Sequence, residues 1–194
     1  MLTKVPDLMI SLIYIVRIGG IFVNLKQSIR VIEGFPKKGI SFKDVTTLTK
    51  DKEAFKFTID SLEEYLNDKN IDIVVGPEAR GFIFGAPLAY ALGAGFVPVR
   101  KKGKLPAETI KISYELEYGT DELEIHKDSI KPGQRVAIVD DLLATGGTIG
   151  SVAKLVEEVG GKVASIDFVI ELTDLKGREK LKGYDVMSLV QYNI

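Results

Sequence analysis

The chain has 194 residues, with 26 Lys+Arg against 27 Asp+Glu for a net charge of −1, and 45% of its residues are hydrophobic and 27% charged. Those figures suit one globular domain with a sizeable core and exclude a disordered chain, a multi-span membrane protein and a strongly basic nucleic-acid binder. With no cysteine and one histidine, His126, disulfides, zinc–thiolate sites, iron–sulfur clusters, a cysteine nucleophile and a multi-histidine metal site are excluded too, and acid–base work falls to carboxylates, Lys or Tyr.

At the amino end, residues 8–16 (LMISLIYIV) form an apolar run followed by Arg17 and IGGIFV. The run is shorter than the about 20 apolar residues that span a bilayer. The first alanine is Ala54, so the small-residue cleavage site of a secretory signal is missing. Two readings stay open: an element added to the domain, or a segment foreign to it.

Residues 49–67 carry Phe55, Ile59, Leu62 and Leu66 at spacings of 4, 3 and 4, which predicts a helix with one apolar face. Residues 71–76 (IDIVVG) read as a buried strand, 81–92 as a helix and 95–100 as a strand. The polar stretch 101–131 contains two alternating pieces, 111–118 and 122–126, joined by Gly119-Thr120. That pattern predicts a hairpin, and a long polar excursion between buried strands reads as a lid or binding loop. Residues 135–141 (RVAIVDD) read as a strand. Ile149, Val152, Val156 and Val159, spaced 3, 4 and 3, predict a helix over 147–159 that Gly160-Gly161 ends. A strand over 162–172, a short helix over 175–181 and a last strand over 185–191 complete the chain. Such alternation predicts an α/β fold with a central, mostly parallel sheet covered by helices on both faces, its ligands at the carboxyl ends of the strands.

The chemistry concentrates in residues 136–148, VAIVDDLLATGGT. An apolar strand ends in Asp140 and Asp141, which point to opposite faces. Their carboxylates can accept bonds from paired hydroxyls or hold hydrated Mg²⁺. Gly146 and Gly147 let backbone N–H groups approach a phosphate, Thr145 and Thr148 add hydroxyls, and the following helix presents its positive end. The result is a phosphate cradle beside a clamp for a ribose diol. No G-x-x-x-x-G-K-[ST] occurs, and no G-x-G-x-x-G follows a strand, so a P-loop or dinucleotide fold is not indicated.

VAIVDDLLATGGT resembles the 5-phosphoribosyl-1-diphosphate (PRPP) signature of type I phosphoribosyltransferases, and DDLLATGGT resembles the adenine phosphoribosyltransferases in particular. FPKKGISFKDV (35–45), VGPEARGF (75–82), VPVRKKGKL (97–105), SYELEYGTDELEI (113–125) and IELTDLKGREKL (170–181) agree in the same order. The resemblance runs from about Leu25 to Tyr192.

The resemblance implies a type I phosphoribosyltransferase fold, with a small hood from about 31–48 and the carboxyl-terminal part, and a flexible catalytic hairpin loop over about 101–131. It implies a glycosyltransferase of purine salvage that moves 5-phosphoribose from PRPP to N9 of adenine, giving AMP and pyrophosphate. Ala144, Thr145, Gly146, Gly147 and Thr148 would bind the 5′-phosphate, and Asp140 and Asp141 the ribose hydroxyls. Mg²⁺ would arrive with PRPP, with no direct protein ligand. Ala79 and Arg80, in a loop with a cis peptide at Ala79-Arg80, would bind pyrophosphate, with Arg80 catalytic as well. Arg100, Lys101 and Lys104 would add cations, Arg100 across a homodimer interface. Glu117 and Tyr118 would be the catalytic pair, Glu117 handling a purine-ring proton as lid closure raises its pKa. Main-chain groups of Ile40, Ser41, Phe42 and Lys43 would read adenine, with Leu172 stacking on it. Ser41 and Lys43 replace an aliphatic residue and an Arg of the family pattern. His126 reads as structural.

A cytoplasmic enzyme with neither nucleic-acid nor membrane partner is expected. The alternatives are another purine phosphoribosyltransferase, or a PRPP-binding regulator. A DNA-binding module needs about 50 residues or more, and the segment ahead of the match lacks a basic recognition helix. Residues 1–22 precede the family match, and Val23 stands where the family's initiating Met would. Valine's GTG codon also starts bacterial genes. The expectation is a dispensable extension over 1–22 with few core contacts, and a single domain over 23–194.

Overall fold

The computed structural model of the protein describes residues 16–18, 21–116 and 119–193, with side chains described for 23–114 and 121–193. The chain divides into two compact units, residues 1–58 and 59–193.

In the first unit, β1 (Val16–Ile18) pairs antiparallel with β2 (Ile21–Val23) as a sheet of its own. Most of the amino-terminal apolar run, residues 8–15, lies outside the described residues. Asn24 caps α1 (Leu25–Ser28), its Oδ1 accepting the Gln27 N–H. β3 (Arg30–Glu33) and β4 (Ser41–Asp44) form an antiparallel ribbon in which Arg30 faces Asp44. Arg30 Nη2 donates to Asp44 Oδ2 at 2.5 Å, and Asp44 Oδ1 accepts the Thr46 N–H at the start of α2 (Thr46–Thr49). Bonds to its charged form hold the Asp44 carboxyl down, at about 2. The helix predicted from residue 49 starts later, as α3 (Lys52–Leu66), because Asp51 Oδ1 accepts the Glu53 and Ala54 N–H groups and caps it there.

The second unit is built on β5 (Ile73–Pro77), α4 (Gly81–Leu92), β6 (Gly95–Lys101), β7 (Thr109–Leu116), β8 (Gly119–His126), β9 (Arg135–Leu143), α5 (Gly147–Glu158), β10 (Lys162–Leu172) and β11 (Val186–Tyr192). Its seven-stranded sheet has the order β11-β10-β9-β5-β6-β8-β7. The strands from β11 to β6 are parallel, while β8 runs antiparallel to β6 and β7. Successive residues Val136, Ala137, Ile138 and Val139 are all buried. Side chains alternate along a strand, so both faces of β9 are covered, as its continuous apolar run requires.

Other elements differ from expectation too. The polar excursion is not separate from the sheet: β8 pairs with β6 through Arg100↔Glu124, and Leu123 and Ile125 join the core. Gly119 and Thr120 lie within β8, opposite Leu116 and Glu115, so they are strand rather than turn. The short helix expected over 175–181 is two 3-10 turns, Thr173–Leu175 and Gly177–Leu181, separated at Lys176, whose φ of +53° interrupts the helical path.

Candidate active site

The carboxyl ends of β5 and β9 converge on one concave pocket, lined by Arg80 and by the chain from Asp140 to Ile149. β9 runs two residues beyond the predicted end, because Leu142 and Leu143 continue the pairing with Ile170 and Glu171 of β10. Asp140 and Asp141 therefore sit in a strand anchored on both sides of them.

The two carboxylates differ, as strand alternation demands. Asp140 is partly buried, and its Oδ1 accepts the Asp141 N–H at 2.8 Å. Asp141 is buried, and its Oδ2 lies 3.0 Å from Arg80 Nε. That contact is not aligned as a hydrogen bond, so the buried Oδ2 remains without a hydrogen-bond donor. Burial pushes both carboxyls up; the neighbouring Asp141 raises Asp140 further, whereas Arg80 opposes the rise at Asp141.

The strand gives way to Ala144, Thr145 and Gly146. Gly146 caps α5 with φ +77°, a conformation that glycine adopts without a Cβ penalty. Gly147 and Thr148 begin the helix, whose first-turn N–H groups have no carbonyl within the helix to bond. Those amides and the helix dipole form an anion cradle. The 3-10 turn at Gly177 packs against this loop: a Cβ on Gly146 would lie 2.5 Å from the Gly177 carbonyl oxygen. Arg178, the next residue, is locked by a bidentate pair to Glu171, both bonds 2.7 Å. Lys180 Nζ lies 3.8 Å from where a Cβ on Gly147 would stand.

The second loop follows β5. Its cis peptide is Glu78-Ala79, one bond earlier than the expected Ala79-Arg80. Glu78 is still tied to the neighbouring strand, so the chain turns away directly after it: its N–H donates to the Val99 carbonyl, and its carboxylate accepts from Arg100 Nε, Arg100 Nη2 and the Lys101 N–H. Ala79 is exposed, and Arg80 is the N-cap residue of α4. The loop folds tightly onto β9, since a Cβ on Gly81 would meet Pro77 Cδ at 2.6 Å and the Val139 oxygen at 3.0 Å.

The three expected cations stand at the end of β6 and in the turn that follows it. Arg100 is paired with Glu78. The Arg100 guanidinium in turn holds the Glu78 carboxyl below the usual carboxylate range. Lys101 pairs with Asp121 at 3.0 Å. Lys104 is exposed, and its carbonyl accepts from Arg100 Nη1 at 3.3 Å. The catalytic pair expected at Glu117 and Tyr118 lies outside the described residues.

The residues expected to hold adenine fall in both units. Ile40 is exposed at the entry to β4; Ser41, Phe42 and Lys43 lie on β4, where Lys43 Nζ donates to Ser41 Oγ at 2.6 Å. Leu172 ends β10 in the second unit and is buried. His126 is partly buried at the end of β8, and its buried Nε2 has no hydrogen-bond partner. Glu78, Gly177 and the Glu171–Arg178 pair escaped the reading of the sequence. The IELTDLKGREKL segment carried the only signal for the last three, and no spacing rule connects it to the anion cradle.

The phosphoribosyl transferase domain family matches residues 45–193. An adenine phosphoribosyltransferase of Clostridium tetani is 74% identical over 172 residues, 89% of this chain and all of that protein. The crystal structure of adenine phosphoribosyltransferase from Thermoanaerobacter pseudethanolicus is 62% identical, with a TM-score of 0.84 over 87% of this chain and 98% of that one. The Saccharomyces cerevisiae enzyme, solved with adenine and an imino-altritol bisphosphate, is 44% identical with a TM-score of 0.82, covering 85% and 96% of the two chains. The family match, on a mostly parallel sheet with an anion cradle after paired acids, makes the chain a phosphoribosyltransferase. Within that class, the chain belongs to the adenine phosphoribosyltransferases.

Proposed function

We propose that the pocket at Asp140–Ile149 transfers 5-phosphoribose from PRPP to N9 of adenine, giving AMP and pyrophosphate. The observation that carries this reading is the buried Asp141 carboxylate, 3.0 Å from Arg80 on the neighbouring loop and directly ahead of the anion cradle on α5. A ribose 5-phosphate fits that order of groups: phosphate on the cradle, diol on the acids, leaving pyrophosphate toward Arg80. N9 attacks C1′ as the C1′–oxygen bond to pyrophosphate breaks, with oxocarbenium character at C1′. Arg80 offers a planar fork to the departing oxygens. Arg100, held by Glu78, and Lys101 and Lys104 add positive charge. Glu117, beside Tyr118, handles the purine-ring proton. Main-chain groups of Ile40, Ser41, Phe42 and Lys43 read the adenine edge, and Leu172 packs on its face.

Among the described residues no group of three or more His, Asp or Glu could hold a metal by itself. An unbonded carboxylate oxygen on Asp141 is a hard donor suited to hydrated Mg²⁺. That donor set fits a Mg²⁺ bound mainly by PRPP and water, with Asp140 and Asp141 alongside. Such an ion, when bound, would neutralise charge on the pyrophosphate.

Assembly as a homodimer is supported by α4. Its sequence GFIFGAPLAYAL has no charge, yet Ile83 and Tyr90 are exposed, Tyr90 at 89%. An exposed apolar helix face of this kind is a common interface signature. The reading places the enzyme in the cytoplasm; among the described residues no helix is long and apolar enough to cross a membrane. The 172 residues shared with the full length of the C. tetani protein support residues 1–22 being dispensable. A chain lacking them should keep its kcat, and loss of folding would overturn that part.

The deciding assay is AMP formation from adenine and PRPP, with hypoxanthine and guanine as controls. Product from adenine alone is expected. Product from either control in preference to adenine would overturn the specificity.

A further inference from the structure

We infer that Glu124 is a positioning residue that builds the cationic turn over 101–105 from inside the sheet, so that PRPP binding depends on it. The inference rests on the proposed role of Lys104 and its neighbours as PRPP ligands.

Glu124 lies on β8 between Leu123 and Ile125, and all three are buried, Glu124 at 1% exposure. An acid in that position needs partners, because a buried unpaired carboxylate is strongly unfavourable. The register gives it a cation on each side, Arg100 on β6 and Lys111 on β7. Its oxygens, however, are taken mainly by backbone. Oε1 accepts the N–H of Lys104 at 2.9 Å and of Leu105 at 3.0 Å. Oε2 lies 3.5 Å from Thr109 Oγ1 and 3.7 Å from Lys111 Nζ.

Gly103, with φ +77°, turns the chain so that successive amides converge. Converging amides after a left-handed residue form a concavity that attracts an anion. Here the chain supplies its own anion from β8, the strand that pairs with β6. Burial pushes the Glu124 carboxyl up, but the Leu105, Gly103 and Lys104 N–H groups and Lys111 outweigh it and leave the group below its usual range. On the outer side the same turn is held by Arg100 Nη1, which donates to the Lys104 carbonyl. Glu122, two residues away, instead pairs with Lys102 near the surface. Of these two carboxylates on β8, Glu124 is therefore the one that shapes the turn.

The test uses full-length Glu124→Ala and Glu124→Gln enzymes with Lys104→Ala as reference. Glu124→Ala should raise the KM for PRPP about tenfold, with kcat and the KM for adenine within about twofold of wild type. Glu124→Gln keeps one acceptor oxygen and should raise it less. Sodium formate, a small carboxylate, should refill the emptied nest and lower the KM of Glu124→Ala while leaving wild type unaffected. Wild-type KM values in both Glu124 variants, beside a raised value in Lys104→Ala, would overturn the inference and leave the role of Lys104 standing. A normal KM in Lys104→Ala would remove the premise itself. Equal losses in kcat and both KM values, without formate rescue, would mean a purely structural acid and would also overturn it. If Glu124→Ala does not fold, the isosteric Glu124→Gln decides alone.

Discussion

Gly146, in the loop ahead of α5, and Gly177 meet backbone to backbone. A Cβ on Gly146 would stand 2.5 Å from the Gly177 oxygen, and one on Gly177 would stand 2.3 Å from the Ala144 oxygen. Neither neighbour is the flexible end of a side chain, so either methyl group has to move main chain. The 3-10 turn after β10 thus sets the shape of the loop that follows β9.

Gly177→Ala should therefore displace the loop at Ala144 without replacing any residue of that loop. Overpacking of this kind costs roughly 1–3 kcal/mol. The expected outcome is a rise of about tenfold in the KM for PRPP, and a Tm lower by about 2–10 °C for a chain of this size. Steady-state kinetics and a thermal melt check it. A variant with wild-type KM would show that PRPP binding tolerates movement of this loop.

Asp140→Asn and Asp141→Asn keep side-chain shape and remove a charge-assisted acceptor. Each should weaken PRPP binding about tenfold or more, since hydrogen bonds to charged groups contribute about 1.5–3 kcal/mol. Asp141→Asn also leaves Arg80 without its 3.0 Å counter-charge. Titration calorimetry with PRPP and Mg²⁺ measures both. Unchanged affinity in the two variants would reject the ribose clamp.

Glu117→Gln should lower kcat about 10²–10⁴-fold with a smaller effect on either KM, the pattern of a proton-transfer group acting in the transition state. Rapid-quench measurement of the chemical step separates this from product release. A Glu117→Leu enzyme with normal kcat would sink the assignment.

Asp167 gives a pH prediction. It is fully buried on β10; Oδ1 accepts Ser165 Oγ at 2.8 Å and Oδ2 has no partner. Burial pushes its carboxyl up from 3.8 to about 7; Ser165 and Lys69 oppose the rise, and Asp185 adds to it. Between those values the folded state holds a proton that the unfolded state has lost. Stability from this group is thus full below about pH 4 and lost as pH rises to about 7. Asp167→Asn cannot lose that proton. Urea unfolding should show the variant's advantage growing from about pH 4 to about pH 7 and then levelling, by at most about 4 kcal/mol at about 1.4 per unit. A constant difference across that range would refute it.

The motif at 136–148 was legible because each part is local. Alternation and β-branching make the strand, Gly146 permits φ +77°, and apolar spacing makes α5. For the same reason α4 was found at its observed bounds. The carboxylates of β8 could not be sorted that way: Glu122 and Glu124 lie on the same face by periodicity, and only pairing with β6 and β7 buries Glu124. Glu78 and Arg100 are 22 residues apart. The Gly146–Gly177 approach spans more still. Short-range sterics and side-chain period act within one element, so residue order alone specifies them. Burial, register and close approach depend on which distant segments the sheet places side by side, and β8 entering beside β6 settles which acid shapes the cationic turn.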